Sequence, residues 1–425
     1  REKQTCVNAE MMETRMKKTS QQIKILNALF FCTLVFLDAG TFGVLPLNLF
    51  QIIELIMLIT MLVYNPKIRI ERGLVVLFVY IGVLTIINPF DMDSIKTFGF
   101  LVLSITMYRL FLQRVPIQMT IETIFNVAFL LSIYGCIQEV GFILKIPSIY
   151  DISKYGFTVN GLDIGRGNLM RVNSLYAEPA HLGPILGLGV LIGLIENHRN
   201  KRIRLWKTVT ILIAALLTQS FLTYASVIVA FVCFILFYQK GIKRKLKWGL
   251  LVILLVAFLC VSQWDLVYSV IGRLSQFKTL QTDTGNDLSA LAITSNFQVA
   301  VEKMKDGYWF GTGLDSHRLY YDRYIDRLYS FLYMRLNSAD AASLYIRIFS
   351  EFGIVGLAAF CVYLIKRFTE GMKSGNRILV ITILMFSVEI MRDGSYVQPL
   401  TQIMFLCMMC YKSFGISQKT VFDFE

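Results

Sequence analysis

Three residues able to do chemistry fall within one short stretch. The segment Arg166–Pro184, RGNLMRVNSLYAEPAHLGP, is polar, punctuated by Gly and Pro, and lodged between two long apolar runs. It carries Arg171, Glu178 and His181, with Ser174 between the first two. Arginine suits an anionic head group, because its planar fork donates hydrogen bonds in pairs and stays charged. Glu178 precedes Pro179, and Pro fits the first turn of a helix, where its missing N–H would have no partner. The carboxylate then sits at a helix N-terminus, where the dipole favours it, placed to orient Arg171 or to act as a base. Two blander readings stand beside this: a helix cap with a snorkelling arginine, and a packing role for His181.

The elements that position this stretch follow from composition. The chain has 425 residues, is 55% hydrophobic and only 17% charged, against roughly 25% charged in a soluble domain; its mean hydropathy is +0.58. Apolar runs of the length that crosses a bilayer, about 17–25 residues, recur along it. The expected fold is an all-α polytopic membrane protein with twelve spans, at 25–40, 43–64, 72–89, 94–113, 120–145, 181–196, 204–219, 222–239, 247–264, 343–366, 376–392 and 396–413. Asp38, Gly40 and Gly43 interrupt the first pair, so only a tight turn can join them. The first run has no cleavable signal pattern and is expected to stay as an anchor.

The formal charge of +13 raises the question of a nucleic-acid partner, and position answers it. The basic residues cluster before span 1 and after spans 2, 4, 6, 8 and 10, always on one side, which the positive-inside rule assigns to the cytoplasm. Both termini, residues 1–24 and 414–425, then lie inside. The remaining connections face outward. Most are short; two are long, 147–180 and 265–342, the latter between spans 9 and 10 and partly helical by its apolar spacing. Basic residues are nearly missing from the spans, and polar content gathers on the outer face. The eight cysteines lie mostly in apolar runs and outline no disulfide framework. Asp91-Met-Asp93 is an acidic pair in an outward turn, but no metal-ligand spacing stands out among three histidines and unclustered carboxylates. Neither metal nor cofactor is expected.

Order and placement of several short motifs give a resemblance. Arg171-x-x-Ser174-x-x-x-Glu178-Pro179 before a middle helix resembles the bacterial O-antigen and capsule polymerases of the Wzy type and their relatives, the O-antigen ligases. LLTQSFLTYAS at 216–226 resembles the family's short outward turn, and KDGYWFGTGLDSH at 305–317 its G-x-G segment in the late loop. Glu351-x-Gly353-x-x-Gly356 resembles its E-x-G-I-x-G helix, and MRDGSY at 391–396 its Arg-bearing turn before the last span. The resemblance covers about the last two-thirds of the chain and implies an architecture similar to GT-C transferases.

It also implies an activity. A growing glycan leaves its undecaprenyl-diphosphate carrier and joins an incoming lipid-linked repeat unit at the outer face of the bacterial inner membrane. Arg171 and Arg392 are then the expected diphosphate ligands, with Asp393 holding Arg392; an interface anchor is the other reading of Arg392. For the base the order is Glu178, then Asp315 and His317, with Asp340 a distant candidate; Asp315 equally suits a turn cap. Expected partners are the lipid-linked donor and acceptor, the bilayer, and a chain-length-regulating protein, with no nucleic acid. Two departures bear on the reaction. The stretch NSADAASLY at 337–345 lacks the His-Asn of the ligase branch, which favours polymerisation, and Ser220-Phe221 stands where the family has Ser-Arg. A flippase for the same lipid-linked units is the alternative of another class, and charge gathered at one face favours chemistry over passage.

Overall fold

A computed structural model describes residues 20–40, 47–64, 70–87, 91–159, 169–198, 204–262, 288–328 and 335–411. The expected tails 1–24 and 414–425, apart from 20–24, and the whole stretch 265–287 lie outside the described residues. Helix α1 covers 20–35, followed by α2 (Leu49–Tyr64), α3 (Arg72–Ile87), α4 (Met92–Arg114) and α5 (Ile117–Ile143). After the single turn α6 (Pro147–Tyr150) come α7 (Pro179–His198), α8 (Leu205–Leu217), α9 (Phe221–Tyr238) and α10 (Ile242–Ser262). The late polar loop holds α11 (Leu288–Lys305) and α12 (Ser316–Leu328), and the chain closes with α13 (Leu344–Ser374), α14 (Arg377–Glu389) and α15 (Pro399–Cys410). Among the described residues the only extended pairing is an isolated bridge between Ala39 and Phe157.

Each of the twelve expected apolar runs coincides with a helix. Five, α4, α5, α7, α9 and α13, are long and apolar enough to cross a membrane, and α2, α3, α8 and α15 are apolar but shorter. This is the build of a polytopic membrane protein. The boundaries differ where capping chemistry intervenes. Pro399 opens α15 at its first position, and α13 runs on to Ser374, where Gly375 caps it in the left-handed conformation.

Helix α7 is the central post: 72% of its apolar window is buried, against 39–50% for the other four. Its glycines explain this. A Cβ on Gly187 would lie 2.7 Å from Ser226 Cβ on α9, and one on Gly189 would lie 2.6 Å from Ala128 Cβ on α5. Lipid tails are as apolar as leucine, so helices in a bilayer gain by close backbone approach, which small residues permit. Elsewhere large apolar side chains face outward, as in α3, where Val76 and Ile87 are exposed. Such rows suit lipid.

Connections expected to share the outer face do meet at one end of the bundle. The turn after α1 reaches the loop after α6, with Gly40 N–H donating to Gly156 O (2.7 Å) and Thr158 N–H to Asp38 O (2.9 Å). Val172 N–H donates to Leu217 O, at the turn between α8 and α9. Arg318 of α12 pairs with Asp91 before α4 at 2.8 Å. At the opposite, basic end Arg109 pairs with Glu71, and Arg204 with Glu122 at 2.9 Å.

The α7–α9 contact gives a direct prediction. Gly187→Leu must push α9 away or strain its own backbone, an overpacking cost of about 1–3 kcal/mol. A lower thermal unfolding midpoint in detergent is the expected result, and an unchanged midpoint would show that the two helices separate without cost.

Candidate active site at the polar end of the bundle

The site is built on a break in α13. Gly353 takes φ 67° and ψ −175° inside the helix, a region open essentially to glycine alone. The intrahelical bond from Val355 N–H to Glu351 O is therefore lost. Both halves are re-satisfied by the Gly-rich loop before α12. Val355 N–H donates to Trp309 O (3.3 Å), while Glu351 O accepts from Thr312 N–H and Gly313 N–H, each at 2.9 Å. A side chain at Gly311 would overlap Glu351 O, and one at Gly353 would overlap Trp309 O. The G-x-G and E-x-G motifs, separate in the sequence, are two sides of one joint.

Arg347 locks this joint to the turn before α15. Its Nε donates to Glu351 Oε1 at 2.9 Å, its Nη1 to Gly394 O at 2.9 Å and its Nη2 to Asp315 Oδ1 at 3.0 Å. The guanidinium lies over the Tyr396 ring, 4.6 Å from its centroid, and Tyr396 O–H donates to Glu351 Oε2 at 2.9 Å. Arg347 lies within an apolar run expected to be nearly free of basic residues, so that expectation is corrected here. A buried guanidinium is tolerated because each of its three nitrogens has a partner, two of them carboxylates. Asp315 is held by Arg347 and, at 3.7 Å, by Arg318; burial raises its carboxyl above the usual range, against the pull of Arg347. The Asp91-Met-Asp93 pair also faces Arg318, at 2.8 and 3.8 Å, an ion-pair role.

His317 was an expected base, and its surroundings argue against that role. It is fully buried, its Nδ1 is 2.7 Å from Ser350 Oγ and its Nε2 is 2.7 Å from Asn296 Oδ1. With both ring nitrogens engaged and no exposure it has no path to a substrate hydroxyl; burial also holds its pKa well below the usual value. Lys303 lies beside it. Its ammonium donates to Thr312 Oγ1 and Ser350 O, each at 2.8 Å, and sits 4.3 Å from the Tyr320 ring centroid. Desolvation lowers its pKa to about 7.

The second half of the site gathers at the mouth of α7. Glu178 and Arg392 face each other at 3.8 Å, so the segment 171–181 and the turn 391–396 are neighbours. His181 Nδ1 is 3.8 Å from Asp38 Oδ2, and Asp38 also accepts from Ala177 N–H at 2.7 Å. Asp393 is buried and accepts from Ser395 N–H at 2.8 Å; burial raises its pKa to about 6, with His181 acting the other way. Arg171 is half-buried, in the electrostatic reach of Tyr224. Ser174 is fully buried, donates from its hydroxyl to Leu131 O at 2.8 Å and from its N–H to Gln138 Oε1 at 2.9 Å; it takes φ 55° and shapes the loop. Asp340 accepts from Asn337 Nδ2 and Ala342 N–H, each at 3.1 Å, a turn-building role.

Sequence reasoning missed Asp38, Arg347, Tyr396 and Lys303. Asp38 was read only as a helix breaker. Its signal was its place in an outward turn, the same property that selected Arg392.

Lys303 makes the joint pH-dependent. Between about pH 7 and the ordinary lysine range the opened chain holds a proton that the closed one lacks, so stability rises with pH there and is flat below. Hydrogen exchange at the Thr312 and Gly313 amides, corrected for intrinsic rates, should show protection growing from pH 7 to 9. In Lys303→Met the growth should vanish.

Residues 206–361 match the profile of a family described as O-antigen ligase. No curated protein matches the chain. The matched region runs from α8 into α13; it contains Gly311, Gly313, Asp315, Arg347 and Glu351 and leaves Arg171, Glu178 and Arg392 outside. This similarity supports the O-antigen ligase and polymerase superfamily and a role in polysaccharide assembly.

Proposed function

We propose that this chain is a glycosyltransferase that polymerises undecaprenyl-diphosphate-linked repeat units into O-antigen or capsular polysaccharide. In this reading the twelve helices that coincide with the apolar runs cross the inner membrane, both termini are cytoplasmic, and the site faces the periplasm or cell exterior. The similarity of residues 206–361 to the O-antigen ligase family supports it, as does the meeting of the expected outer connections at one end.

The observation that carries it is the state of Arg392. Its ion pair with Glu178 is loose, at 3.8 Å, and its Nη1 is buried without a hydrogen-bond partner among the described residues. A buried N–H left unsatisfied is costly, and a phosphate oxygen is the acceptor a guanidinium binds best. The donor diphosphate, held by Arg392 and Arg171, supplies that acceptor. As Arg392 turns to it, its loose contact with Glu178 is given up, and Glu178, still in the field of His181, acts as the base. The acceptor hydroxyl then attacks the anomeric carbon, Glu178 takes its proton, and the bond to the diphosphate breaks. The lipid diphosphate departs with its new charge stabilised by both arginines.

The test uses purified protein in detergent with a lipid-diphosphate-linked repeat unit, with products resolved on a gel. Wild type should give a ladder; Arg392→Ala should slow it on the order of 100-fold, the loss typical of one oxyanion-stabilising donor. Glu178→Gln should slow it while leaving donor binding intact. One-step transfer of whole glycan to a lipid acceptor, with no ladder, would instead identify a ligase. Movement of lipid-linked units across vesicles without chemistry would identify a transporter.

A further inference from the structure

The opposite, basic end of the bundle holds a cavity that the proposed reaction does not use. It has a volume of about 520 Å³ and lies between the ends of α7 and α9 and the starts of α8 and α10. Among the described residues its polar lining is Asn197, His198, Gln239, Arg244 and Lys247, with no carboxylate. Neither Arg244 nor Lys247 has an ion-pair partner among the described residues; the nearby Glu196 faces Arg204 instead, at 3.7 Å. Asn197 Nδ2 donates to Thr208 Oγ1 at 3.2 Å, while its Oδ1 is buried without a partner among the described residues. The cavity therefore offers two cations and one acceptor awaiting a donor. Its other wall is apolar: Trp248 meets Phe234 edge to face, with ring centroids 5.3 Å apart. Outside it, α10 presents Leu246 and Leu250, 65% and 58% exposed.

We infer that this cavity binds an anionic phospholipid whose head group carries free hydroxyls, of the phosphatidylglycerol class. The phosphate meets Arg244 and Lys247, a head-group hydroxyl donates to Asn197 Oδ1, and an acyl chain lies along Leu246 and Leu250. Basic pockets between helices at the cytoplasmic side are suited to such head groups. A zwitterionic lipid brings its own cation to a site that already has two, and free phosphate leaves the apolar wall and the exposed leucines uncovered. The bound lipid would also fasten α10, whose main neighbour in the bundle is α9.

The full chain, purified and stripped of lipid, is titrated with phosphatidylglycerol or phosphatidylcholine and the bound lipid counted by native mass spectrometry. One phosphatidylglycerol should bind, with roughly tenfold preference over phosphatidylcholine, as two basic contacts near a membrane surface allow. Arg244→Gln with Lys247→Gln should erase the preference, and Lys247→Gln alone should reduce it, which keeps the test open if the double variant fails to fold. Lys240→Gln with Lys243→Gln removes equal charge from the same helix start outside the cavity and should leave binding unchanged. Equal losses in both double variants would overturn the site in favour of diffuse attraction. Equal binding of the two lipids, or displacement of phosphatidylglycerol by millimolar inorganic phosphate, would overturn the lipid assignment.

Discussion

One displaced backbone hydrogen bond organises the polar end of this protein. Inside a bilayer-spanning helix every peptide group must find a partner, because no water is there to replace a lost one. At Gly353 the helix gives up the bond between Val355 and Glu351, and both groups pair with the loop that carries Trp309, Thr312 and Gly313. That exchange draws a loop from the late polar region down onto α13. It also explains why glycine is required on both sides, at Gly311 and at Gly353, where the two backbones pass too closely for a side chain. Asp315, Arg318 and His317 take their positions from this joint.

The degree to which this was legible differs between elements and contacts. Apolar runs mark the helices because burial in lipid demands them, and Pro399 or Gly375 sets an end through local backbone chemistry. The two glycine motifs were legible as motifs, but their pairing was not. Spacing along a chain carries no information on which carbonyl a distant N–H will reach. Arg347 was hidden by its surroundings, since one cation in an apolar run barely changes the average. Its three acceptors, Glu351, Asp315 and Gly394, come from three separated stretches. Asp38 was hidden for a related reason: its partners Ala177 and His181 are distant in sequence. Glu178 and Arg392 were selected singly, by residue type at an outer helix end, and the structure makes them neighbours.

His317 shows the limit of reading residue type alone. A histidine in a polar loop after a Gly-rich turn looks available for proton transfer. Burial by α11, α12 and α13 instead encloses it between Asn296 and Ser350, and the positive charge of Lys303 beside it further disfavours the imidazolium. The pair works as a strut under the loop: neutral imidazole can donate at one nitrogen and accept at the other, which matches one hydroxyl and one amide oxygen.

Two arginines at the same end of the bundle divide the labour, and the division follows from how their donors are used. Arg347 has its Nε and both terminal nitrogens engaged and an aromatic ring against its face. Moving it would strand Glu351 as an uncompensated buried charge and leave Asp315 only its looser contact with Arg318, so it is fixed. Arg392 has one loose ionic contact and a buried terminal nitrogen with no acceptor among the described residues. Its present arrangement leaves one donor unused, the opening that the proposed diphosphate would fill. The two are also mechanically linked, because Arg347 grips the carbonyl of Gly394, two residues beyond Arg392. A rigid arginine thus holds the turn that carries the adaptable one, and under the proposed function the broken helix that seats Arg347 would set where the donor diphosphate is met.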